Sequence, residues 1–92
     1  MDNVVEQYWG RALKIARQYE NAQVAFADLT GLIDEFAAAF FDELNSLTPS
    51  ARAECSRGLE ARLQAAVAET DSQRCREALE EMLVSLNRTP IY

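Results

Sequence analysis

Histidine is absent from this 92-residue chain, and with it the usual general base of catalysis at neutral pH. Cysteine is scarce as well. The two thiols, Cys55 and Cys75, are too few to give zinc the three or four nitrogen and sulfur ligands it prefers. Both fall in helical patterns, and a turn near residues 70–72 would leave them far out of level on the arms of a hairpin, whereas a disulfide needs Cα atoms within about 7 Å. No secretory apolar stretch precedes the first helical segment, so two reduced, buried structural thiols in a cytoplasmic protein are expected. The three glycines, at positions 10, 31 and 58, are isolated and build no phosphate-cradling loop. No apolar run approaches the roughly 20 residues that cross a bilayer. β-branched residues are scattered without alternation, which leaves no strand to propose, and there is neither an internal repeat nor a low-complexity segment.

Positive charge is also in deficit: 15 acidic residues oppose 9 basic ones, for a net charge of −6. Such a chain repels phosphate backbones and anionic lipid, so neither nucleic acid nor membrane is expected as a partner. Eight of the nine basic residues are arginine and alanine is abundant, a bias that fits a GC-rich bacterial genome. The acidic pairs Asp34/Glu35, Asp42/Glu43 and Glu80/Glu81 are sequence neighbours, which diverge by about 100° around a helix. They read as solvated faces, not as acid/base pairs. No catalytic, metal or cofactor site is expected.

What the chain does have is helical periodicity. Asn3-Val4-Val5-Glu6 fits an N-terminal cap, and no proline follows until Pro49. Between them, Ala12, Ile15, Tyr19, Ala22, Phe26, Leu29, Ile33, Phe36 and Phe40 recur in alternating steps of three and four, an a/d seam of period 3.5. The spacing predicts one long amphipathic helix over about 4–47, kinked or broken, if anywhere, at Thr30-Gly31. Its length would be about 66 Å, twice the roughly 30–35 Å diameter of a compact chain of this size. Thr48-Pro49 is a favoured helix start, a threonine cap before proline. A second helix is expected over 49–69, with Leu59, Leu63, Ala66 and Val67 inward. Gly58 in its middle either weakens it or allows close backbone approach. Thr70-Asp71-Ser72-Gln73 matches a capping box, opening a third helix over 72–87 with Cys75, Ala78, Leu79, Met82, Leu83 and Leu86 inward. Asn87 is a candidate C-cap, Pro90 forbids continuation of the helix, and 88–92 are expected as a loose tail. The fold class is all-α: a long N-terminal helix plus a two-helix hairpin in a single domain.

The segment Phe36-Ala37-Ala38-Ala39-Phe40-Phe41 sweeps the whole helix circumference without a polar side chain. A domain this small buries only about 60–65% of its unfolded surface, so the segment predicts a second chain. The economical solution is a homodimer whose long helices cross at Ile33, Phe36, Ala37, Phe40, Phe41 and Leu44. A separate partner surface is expected where Tyr8, which extends the seam backwards, and Trp9 adjoin the cationic stripe Arg11, Lys14 and Arg17.

In outline, a long helix followed by two shorter ones within about 90 residues resembles the all-helical chorismate mutase subunit. That resemblance, one of architecture without matching motifs, implies an intertwined dimer in which Arg11, Lys14, Arg17 and Gln18 would hold a dianion. The residues themselves point elsewhere. A small acidic helical chain without catalytic groups fits a non-enzymatic protein-binding module of the anti-activator, secretion-chaperone or immunity-protein type, with a structural subunit of a larger assembly as the alternative.

Overall fold

Tyr8 of the first helix packs against Phe36 and Phe40 of the second, and Tyr19 packs against Phe26. The two helices therefore run antiparallel. A computed structural model of the chain describes residues 3–88, and these form four helices: α1 (Asn3–Glu20), α2 (Phe26–Asn45), α3 (Pro49–Glu69) and α4 (Gln73–Arg88). The ion pair Arg62–Glu6 and the bond between Tyr19 and Glu77 set α3 parallel and α4 antiparallel to α1. The result is an up-down-up-down, all-α bundle measuring 38 × 24 × 20 Å. α1 and α4 form the central pair, while α2 and α3 flank it and touch each other least.

The single long first helix is not what forms. α1 ends at Glu20, and α2 starts at Phe26 after a turn over 21–25. The turn is a Schellman motif: the Gln23 N–H donates to the Gln18 carbonyl (2.8 Å) and the Ala22 N–H to that of Tyr19 (3.0 Å). Ala22 takes the left-handed conformation that the motif requires, with φ of 60°. Thr30-Gly31, the expected break, lies inside α2, where the Thr30 hydroxyl donates to the Ala27 carbonyl at 2.8 Å. The 3.5-residue register runs through the turn because Tyr19 and Phe26, a heptad apart, stack on each other across it, ring centroids 6.4 Å apart. Continuity of register therefore signals a shared core here, not a continuous helix. A helix of about 66 Å would also far exceed the 38 Å long axis.

Other boundaries follow local chemistry. Thr48 accepts the Ala51 N–H at 3.2 Å with Pro49 at the first helical position, as the sequence predicts. For α4 the cap moves to Ser72, whose hydroxyl accepts the Cys75 N–H at 3.2 Å. The Thr70 hydroxyl instead accepts the N–H of Ser72 itself. Asn87 lies within α4 and is not its C-cap. The Asn3 side chain and the tail at 89–92 lie outside the described residues.

The core runs along the central pair. Tyr8, Ala12, Ala16 and Tyr19 from α1 meet Ala78, Leu79, Met82 and Leu86 from α4, and α2 closes over them with Leu29, Ile33, Phe36, Ala37, Phe40 and Leu44. α3 buries only Leu59 and Leu63, with Ala66 and Val67 half-buried. Gly58 marks its close approach to α1, since a Cβ there would stand 3.3 Å from Val5 Cγ2. Neither cysteine is in a disulfide and both are half-buried, so the thiols are less enclosed than expected.

Candidate functional site

The hydrophobic segment of α2 finds its cover within the chain. Phe36 and Phe40 are 1% and 0% exposed, and Ile33, Ala37 and Leu44 are buried with them. Phe41 is half-buried, its ring centroid 5.8 Å from that of Phe40. Phe36 and Phe40 stand one turn apart and share the core face. The outward positions go to Ala38, exposed, and Ala39, half-buried, whose small side chains present little apolar area. The covering expected from a second copy at this place is supplied by α1, which folds back as a separate helix. The premise that placed an interface here was the unbroken helix, and five of the six residues have no free surface to offer.

Of the second expected surface, Tyr8 belongs to the core. Its ring lies 5.2 Å from Phe40, and its hydroxyl donates to the Ala39 carbonyl at 3.1 Å. Trp9 is half-buried against the core. Arg11, Lys14 and Arg17 are exposed, with the Arg11 guanidinium 4.9 Å from the Tyr8 ring centroid. The four residues cast as dianion ligands thus lie on the outer part of α1, with Gln18 half-buried. The long helix that carried the chorismate-mutase outline is two helices.

Two large apolar side chains are exposed: Phe26, 52% exposed, which the seam had placed in the core, and Val84, 49% exposed, which sequence reading did not single out. Phe26 keeps the heptad spacing of a core residue, but as the first residue of α2 it has no preceding turn to shelter it. An arginine clamp was equally hidden. The Arg74 guanidinium lies 4.0 Å above the Tyr19 ring and donates from Nε to the Tyr19 carbonyl at 2.9 Å, while the Tyr19 hydroxyl meets Glu77 Oε1 at 3.2 Å. This clamp fastens the start of α4 to the end of α1.

A cleft of about 260 Å³ opens between α1, α3 and α4. Its apolar floor includes Leu13, Ala16 and Leu79, with Cys75 beside them and Arg17 and Glu69 in its wall. Among the described residues no group of three or more histidine, cysteine, aspartate or glutamate side chains could hold a metal ion, and no helix is long and apolar enough to cross a membrane.

Charge is the property the fold segregates. α2 carries Asp28, Asp34, Glu35, Asp42 and Glu43, all exposed, and no basic residue. α1 beside it exposes Arg11, Lys14 and Arg17 along its length, with Glu6 and Glu20 exposed nearer its ends. Among the described residues the one ion pair is Arg62–Glu6, and none of these α2 carboxylates and α1 cations forms an ion pair with another described residue. The chain matches no protein-family model, no curated protein and no solved structure.

Proposed function

We propose that this chain is a non-enzymatic protein-binding module, acting on its partner by occupancy in the manner of an anti-activator, a secretion chaperone or an immunity protein. The observation that carries this reading is the unpaired charge on α1 and α2, cations on one helix and carboxylates on its neighbour. Complementary charge steers association and fixes register more than it adds affinity, which suits a surface that docks on another protein. The −6 net charge disfavours phosphate backbones as that surface. The chain has no histidine, the usual general base at neutral pH, which supports the non-enzymatic reading.

The test is capture of a stoichiometric protein partner from a lysate of the source organism, using the wild-type chain and a variant with Asp34, Glu35 and Asp42 changed to lysine. The expected partner binds the first and not the second. Chorismate turnover abolished by Arg11→Ala would overturn the non-enzymatic reading. A second reading, a structural subunit of a larger assembly, is favoured by the exposure of Phe26 and Val84. Light scattering separates the two, since a subunit lacking its neighbours gives a heterogeneous distribution of sizes and a self-sufficient module gives one.

A further inference from the structure

The seam between α1 and α2 has an apolar centre. The Tyr8 hydroxyl reaches the Ala39 carbonyl, so that side of α2 faces α1, and Leu32, one heptad earlier, shares it. Ile15, one heptad after Tyr8, lies on the matching side of α1. Ile15, Leu32 and Ala39 are all half-buried, which leaves their outer parts as an apolar strip between the helices. One turn either side of Leu32 stand the exposed carboxylates Asp28 and Glu35. One turn before Ile15 stands exposed Arg11, with exposed Lys14 next to Ile15. An apolar centre with a charged rim is the common anatomy of a protein interface. Here the rim is cationic along one edge and anionic along the other.

The antiparallel hairpin fixes which residues are level. Tyr8 is level with Ala39 and Tyr19 with Phe26, which puts Arg11 level with Glu35 and Gln18 level with Asp28. A half-turn about an axis parallel to the helices keeps every level and exchanges α1 for α2. Two copies so related, seam against seam, bring Arg11 of each opposite Glu35 of the other, with Lys14 between Asp28 and Glu35. The remaining two-fold arrangement, about an axis across the helices, would set α1 on α1 and α2 on α2, like charge against like.

We infer that the α1/α2 seam binds a second copy of this chain through a two-fold axis parallel to the helices, each copy's Arg11 and Lys14 facing Asp28 and Glu35 of the other. The inference rests on the reading of the chain as a protein-binding module and names its first partner. A second copy is the occupant because the complement of the acidic edge, at matching level, is present in the chain itself. Exposed ion pairs add little energy, so the apolar strip supplies the affinity and the charges set the orientation.

Sedimentation equilibrium of the full chain tests this. The wild type is expected at twice its 10.3 kDa monomer mass. Arg11→Glu combined with Lys14→Glu, and separately Asp28→Lys combined with Glu35→Lys, should each weaken self-association by about tenfold or more. An equimolar mixture of the two variants should recover the dimer, because both contacts are again opposite in sign. Circular dichroism checks that helicity is kept. Lys14→Glu alone, at a residue with no ion pair, hydrogen bond or ring contact among the described residues, serves if Arg11→Glu loosens Tyr8. A monomeric wild type, charge-reversed variants that associate as well as the wild type, or a mixture no better than its components overturns the proposal. A monomer that still captures a foreign protein overturns this dimer and leaves the module reading standing.

Discussion

Arg52 reaches back across the turn between α2 and α3, donating from Nε to the Leu44 carbonyl and from Nη2 to that of Leu47, both at 3.1 Å. α2 needs this, since its last turn holds Asp42 and Glu43 and no basic residue, the wrong sign for the negative end of a helix dipole. One guanidinium therefore supplies both hydrogen-bond donors and a compensating charge. Arg52→Met, which keeps the aliphatic stem, should cost about 1–2 kcal/mol, read as a lower urea midpoint with an unchanged slope. Contacts of this kind were the least legible part of the sequence. Tyr19 could be assigned to the core from its spacing, but Arg74 and Glu77, which hold its ring, carbonyl and hydroxyl, are more than fifty residues away and no periodicity links them.

Among the elements, the turn at 21–25 sets the topology, and nothing in its composition announces it. A Schellman turn normally puts glycine in the left-handed position, whereas here Ala22 takes φ of 60°, at a cost of roughly 1–2 kcal/mol. Ala22→Gly should therefore stabilise the fold by about 1 kcal/mol net of the extra freedom glycine gains when unfolded. Calorimetry should show Tm rising by about 4–8 °C. The helix that follows is no better announced, because Ala25 at its N-cap makes no side-chain cap. Where boundary chemistry is written in side chains, as at Thr48-Pro49, the sequence located the helix start to the residue. Where the boundary depends on backbone conformation in an alanine, it left an unbroken heptad instead. Gly31 drew the break to itself by residue type, yet sits in regular helix with nothing within 4 Å of where its Cβ would be.

At the scale of the molecule, helical class, amphipathic stripes and most of the core were legible, because they depend on residue type and period. The candidate site was legible only in part. Arg11, Lys14 and Arg17 were identified as exposed cations, and exposed they are. Their acidic counterpart on α2 was read as a solvated face but not as lying beside them, because a continuous first helix would have carried the two charges away from each other along one rod. Folding that rod in two is what sets the cations beside the carboxylates and what covers Phe36 and Phe40.

The central pairing of α1 with α4 bears on how the chain emerges from a ribosome. α1 is made first, but the helix it packs against in the middle of the bundle is made last. Until α4 has been released, the stripe Tyr8, Ala12, Ala16 and Tyr19 has its inner neighbour missing, and Leu29, Ile33 and Phe40 lack the floor they close upon. The nascent chain is therefore a single cooperative unit that matures late, not a series of helices docking in order. A fragment ending at Ser72 should keep some helicity, bind a hydrophobic dye and melt without a cooperative transition, and a sharp thermal transition from that fragment would show that α1, α2 and α3 close a core of their own.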